Sequence, residues 1–168
     1  MSPLTTSDLK TQPRSPCHYS RINDIAFPEG YADVFATCSM NDIRVWNSRT
    51  GVELLRINVQ GVECYCITFM KDGGSIVSGW SDGKIRAFGP QSGAELYSIN
   101  DAHQGGVTAL ACTSDNERLI SGGEDGQVRV WKVTKQSRVM IASMKEHKST
   151  VNDIRVRAND SECVSASS

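Results

Sequence analysis

His103, Ser121 and Asp125 are the residue types of a hydrolytic triad. In such a triad a carboxylate holds an imidazole, and the imidazole takes the serine proton as the hydroxyl attacks a carbonyl. That chemistry also needs an exposed nucleophile and donors for the oxyanion, and nothing in the surrounding sequence supplies either. Trp131 suggests a different arrangement, with the four side chains in one chain of hydrogen bonds between a strand, a tight turn and the loop that precedes them. Buried polar groups must be paired, and a fully paired network fixes a unique packing. His103, Ser121, Asp125 and Trp131 are therefore expected to form a structural tetrad, with no catalytic, cofactor-binding or metal-binding role.

Other chemical signals give way to plainer readings. Gly79-Trp80-Ser81-Asp82-Gly83 matches the G-x-S-x-G pattern of a nucleophile elbow, but that elbow joins a strand to a helix. Here the segment reads as a turn between two strands. Gly73-Gly74 and Gly105-Gly106 lack the lysine and following helix of a phosphate loop. The six cysteines show no Cys-x-x-Cys pair and no zinc spacing, which points to reduced structural thiols in an intracellular protein. Arg44, Arg86 and Arg129 each stand two residues before an aromatic, where an arginine stem is expected to pack between structural units.

The elements that position these residues repeat. From Trp131, steps of 43 and 42 residues back reach Phe88 and Trp46; from His103 the same steps reach Gln60 and His18, and 44 forward reaches His147. His103 to Ser121, Gln60 to Ser78 and His147 to Ser165 each span 18 residues. IRVW, IRAF and VRVW precede the successive turns of this cycle. Period-two alternation broken by Asp, Asn and Gly marks short antiparallel strands. A period in the forties with an early His and a late Trp is the pattern of WD repeats. The fold class is therefore all-β, a WD40 β-propeller with four strands per blade.

Residues 18–57, 58–99, 100–144 and 145–168 are read as four successive repeats, the last truncated. Residues 1–17, with three prolines, are expected to form the outer strand of a preceding blade or a flexible tail. Repeat three is complete. Repeats one and two are expected to carry degraded networks, because Asn41-Asp42 displaces the turn aspartate and Gln60 and Phe88 replace His and Trp. A long irregular connection is expected over residues 132–145. About three and a half blades do not close a ring, so the chain is expected to be a fragment of a longer propeller.

Net charge is −1, from 18 Lys plus Arg against 19 Asp plus Glu, which excludes a nucleic-acid binder with a broad basic face. No apolar stretch approaches the roughly 20 residues of a membrane span, and no secretory signal is readable. No small-molecule substrate or cofactor is expected. Loops on a rigid ring instead suit a non-enzymatic interaction scaffold.

Particular segments narrow this. NDIAFPEG, FATC followed by NDIRVW, DGKIRAFGP, AHQGGVTAL and KEHKSTV together resemble the cilia- and flagella-associated WD-repeat family of axonemal doublet microtubules. The resemblance runs from about residue 8 to 168 and includes Asn41-Asp42 and Phe88. It implies a microtubule inner protein supporting cilium motility, with tubulin and other microtubule inner proteins as partners. It also implies a location in the cytoplasmic cytoskeleton of the cilium or flagellum axoneme. The alternative is a generic cytoplasmic WD-repeat adaptor, such as a ubiquitin-ligase substrate receptor or a trafficking-coat subunit.

Overall fold

Tight turns at left-handed positions cut the chain into hairpins. Gly83 (φ 75°) and Gly126 (φ 70°) take that conformation in two of them, and Asn41 (φ 65°) takes it in another. Glycine enters the left-handed region without a Cβ penalty, and asparagine tolerates it better than most residues. The structure, a computed structural model, describes residues 17–30 and 33–168. The expected outer strand at residues 1–17 lies outside the described residues except for Cys17.

Among the described residues there are thirteen strands and no helix. The first group comprises β1 (Asp24–Ala26), β2 (Val34–Cys38), β3 (Met40–Asn47) and the first half of β4 (Glu53–Phe69). The second half of β4 continues into β5 (Ile76–Trp80), β6 (Ile85–Phe88) and β7 (Glu95–Ile99). A separate antiparallel sheet holds β8 (Val107–Cys112), β9 (Arg118–Gly123), β10 (Val128–Val133) and β11 (Arg138–Met144). Finally, β12 (Val151–Val156) pairs only with β13 (Cys163–Ser167). Sheets of seven, four and two strands result, with no ring closure. This is an unclosed WD40 propeller arc of about three and a half blades.

Two elements differ from expectation. The boundary expected at residues 57–58 falls inside the 17-residue β4, which pairs with β3 through Glu53–Asn58 and again at Glu63, and with β5 through Cys64–Phe69. Gly61 (φ 76°) turns the backbone between the halves without ending the strand. Residues 132–145 are not an irregular connection. There, β10 runs on to Val133 and β11 pairs with it in full register apart from one bulge. The signal was masked because Val139, Met140, Ile141 and Met144 form an apolar run without alternation, all exposed on an outer strand.

The core lies between blades. Cys38, Ile43, Cys64, Ile76 and Trp80 fill the first joint; Val77, Ile85, Val107, Leu119 and Trp131 fill the second. Ile120, Val128, Val151 and Ile154 fill the third. At the second and third joints the innermost strands share no ladder and are bridged by side chains instead. Cys66 Sγ donates to Val107 O at 3.4 Å, Cys112 Sγ to Phe69 O at 3.2 Å and Thr108 Oγ1 to Val151 O at 2.5 Å. Even at the first joint Asp24 Oδ2 accepts from Ile67 N at 2.9 Å.

Close packing makes two glycines sensitive. A Cβ on Gly79 would stand 2.6 Å from Cys66 Sγ and 2.7 Å from Val107 O, and one on Gly122 would stand 2.5 Å from Val151 Cγ1. Gly79→Ala and Gly122→Ala should each destabilise by on the order of 1–3 kcal/mol, the cost of overpacking. Gly74→Ala, which meets only the Asp72 side chain, should cost less. Urea midpoints decide the ranking; equal midpoints for all three would contradict the joint packing.

Candidate functional site

The loop between β7 and β8 delivers His103 to the turn between β9 and β10. His103 Nδ1 lies 2.9 Å from Asp125 Oδ1, and Nε2 lies 2.7 Å from Ser121 Oγ. Trp131 Nε1 donates to the same Oγ at 2.9 Å. A carboxylate can only accept, so Nδ1 carries the proton and Nε2 accepts from the serine hydroxyl. Asp125 also accepts from Gln104 N at 3.0 Å and Gln127 N at 3.1 Å. Ser121 is fully buried. Its oxygen is occupied by an imidazole and an indole, so this arrangement ties two strands and a loop together.

The first blade corrects the sequence reading. His18 Nδ1 lies 2.6 Å from Asp42 Oδ1, His18 Nε2 lies 2.6 Å from Thr37 Oγ1, and Trp46 Nε1 donates to Thr37 Oγ1 at 2.7 Å. The network is whole, not degraded. Threonine supplies the hydroxyl, and the shorter turn puts the left-handed Asn41 before the aspartate where Gly126 follows Asp125. His18 to Thr37 spans 19 residues, one more than the 18-residue spacing, and this hides Thr37 in the sequence.

In the second blade Gln60 and Phe88 do remove two members, yet Ser78 is still paired. Trp80, fully buried on β5, donates its indole N–H to Ser78 Oγ at 2.8 Å, and Ser78 Oγ donates to Arg86 O at 3.0 Å. In the last blade His147 Nε2 lies 2.7 Å from Ser165 Oγ. The G-x-S-x-G segment is the β5–β6 turn, where Ser81 Oγ accepts from Glu63 N at 3.0 Å.

The recurring arginines use their heads as well as their stems. Arg44 Nε reaches Asp42 Oδ2 at 2.8 Å, and Arg86 pairs with Asp82 through two bonds of 2.6 and 3.1 Å. Arg129 stands 3.6 Å from Asp125 Oδ2 and donates to Ala102 O at 2.6 Å. Each arginine thus braces the turn aspartate of its own blade. Arg86 also lies over the Trp80 ring, 5.4 Å from its centroid.

With this geometry described, comparison with known proteins is informative. A family model described as WDR54 matches residues 16–167. The chain belongs to the WDR54 family of WD-repeat proteins. Cilia- and flagella-associated protein 52 of Mus musculus is 53% identical over 161 residues, 96% of this chain and 26% of the relative. Its Homo sapiens counterpart is 51% identical over 164 residues, 98% of this chain and 26% of the relative. The Chlamydomonas reinhardtii protein of the same name is 55% identical over 163 residues, 97% of this chain and 26% of the relative. The chain spans about a quarter of the length of these relatives.

Titration of the tetrad follows from its burial. Burial holds the His103 imidazole below its ordinary value, against the upward pull of Asp125. For Asp125 burial works upward, but the donors His103, Gln104 N and Gln127 N outweigh it and hold the carboxyl below its usual range. The native pair is a carboxylate and a neutral imidazole. As pH falls through about 6.5, the unfolded chain binds a proton that folded His103 refuses, so stability falls. Thermal midpoints should therefore drop between pH 7.5 and 5.5, with a shallower drop in His103→Gln. An identical slope in the variant would assign the loss elsewhere.

Removing the acceptor tests the same network. Asp125→Ala leaves His103, Gln104 N and Gln127 N without a partner and should cost on the order of 1–3 kcal/mol. Asp82→Ala should cost less, because the Asp82 side chain is 25% exposed and water can replace it at Arg86. Chemical denaturation of both variants would reveal this difference, and equal losses would refute it.

Proposed function

We propose that the protein is a non-enzymatic WD-repeat scaffold of cilia and flagella, seated as a microtubule inner protein in the doublet microtubule. The observation that carries the ciliary part is the shared name of the relatives. An alga and two mammals have proteins called cilia- and flagella-associated protein 52, each more than half identical to this chain across nearly all of it. The non-enzymatic part is supported by the hydroxyls at Thr37, Ser78 and Ser121, which are buried and bonded to indoles. Tubulin and other microtubule inner proteins are the partners this reading requires, contacted through loop tips on a rigid arc.

Near-neutral charge favours shape-matched contact over a charge-driven coat, whose attraction would fade with salt. The tagged full-length protein should remain with demembranated axonemes through a salt wash that strips outer dynein arms, and leave only when the doublet wall is opened. Release alongside the arms would refute the luminal seat. A purely cytosolic pool in ciliated cells would favour a generic adaptor, such as a ubiquitin-ligase substrate receptor or a coat subunit.

A further inference from the structure

Arginines that serve the fold recur from blade to blade and are matched by a turn aspartate. Four cations gathered at one end of the third blade do neither. Arg118 begins β9, Lys132 lies near the end of β10, Lys135 sits in the β10–β11 turn and Arg138 begins β11. None of the four makes an ion pair among the described residues. The corresponding turn of the second blade, residues 89–94, is Gly-Pro-Gln-Ser-Gly-Ala and carries no charge. That of the first, residues 48–52, has one cation, Arg49, paired with Asp33 at 2.7 Å. The β10–β11 hairpin is also extended, since β10 passes Trp131 to Val133 whereas β6 stops at Phe88.

Lys132 and Arg118 stand directly opposite each other in the β9–β10 register. Like charges so placed destabilise a sheet, so the fold gains nothing from them. Lys132, Lys135 and Arg138 line a groove of about 830 Å³ between the second and third blades, together with Leu96, Tyr97 and Val133. Leu96 is 52% exposed. The Arg138 guanidinium lies 4.1 Å over the Tyr97 ring, while Tyr97 Oη and Arg138 Nε are buried polar atoms without a partner among the described residues. Two carboxylates, Asp72 and Glu117, lie on the same groove. The equivalent groove between the first two blades, about 450 Å³, is lined by Pro28, Val34, Leu54 and Phe69 and by no cation.

We propose that the groove between the second and third blades docks an extended acidic segment of a partner protein, with an aliphatic side chain set between its carboxylates. The carboxylates would pair with Lys132, Lys135 and Arg138 and relieve the opposition of Lys132 and Arg118. The apolar side chain would cover Leu96 and Val133. A peptide fits better than a nucleic acid, because Asp72 and Glu117 would repel a continuous phosphate backbone and the chain has no broad basic face. The groove is the same wherever the protein resides, so this inference stands apart from the ciliary reading.

Fluorescence anisotropy of the 168-residue chain with a labelled eight-residue peptide of alternating Glu and Leu tests it. Binding should weaken about tenfold in the Lys132→Ala/Lys135→Ala variant, roughly what two partly exposed charge pairs contribute. It should weaken also in Leu96→Ser, and when the peptide's Leu residues are replaced by Ser. Without peptide, Lys132→Ala should keep or raise the thermal midpoint, since it removes a repulsion; a lowered midpoint would mean that the cation serves the fold. No binding, binding indifferent to these substitutions, or equal binding of a single-stranded oligonucleotide of the same charge would overturn the proposal.

Discussion

Neighbouring blades of this arc touch through side chains and loops, so each joint depends on a segment bonded in both directions. The loop carrying His103 shows how. Its backbone N donates to Gly83 O of the preceding blade at 3.2 Å, while its imidazole reaches Ser121 and Asp125 of the following one. Gly83 has to be glycine twice over, for its φ of 75° and because a Cβ there would lie 2.4 Å from His103 O. The same closeness recurs at Gly126, where a Cβ would lie 2.7 Å from His147 O. A buried imidazole thus does two jobs, completing one blade and fixing its angle to the last.

Seen this way, the variation among the blades is chemically conservative. Thr37 replaces a serine without loss because only the hydroxyl matters to His18 and Trp46. The second blade lost its imidazole and its terminal indole, yet Trp80 approaches Ser78 from within β5 and Arg86 spans Asp82 and the Trp80 face. What persists is the condition that a buried hydroxyl has partners, more than any particular residue.

Much of this was legible in the sequence, and the misses have physical causes. Residues exchanged within a fixed spacing, such as Gln60 and Phe88, were readable because the count of residues survived. Thr37 was not, because one residue gained before it and one lost in the turn after it shift the offset while leaving the geometry intact. Strand β11 escaped because its apolar residues do not alternate. Trp80 escaped because the tetrad pattern expects its indole on the following strand. The cations of the third blade were visible in composition, but only the β9–β10 register shows that Lys132 and Arg118 face each other.

Strand β4 carries a consequence for how the arc comes apart. In most joints the backbone ladder ends at a loop, and one blade can open while its neighbour holds. Here an uninterrupted strand belongs to both the first and second blades, so the backbone of Glu53–Phe69 carries one ladder directly into the next. The first joint is therefore continuous in the backbone ladder, whereas the second is crossed by the loop between β7 and β8. A tensile load entering near β1 would pass straight through the ladder to β7 and meet its weak link at residues 100–106, where His103 is the clasp.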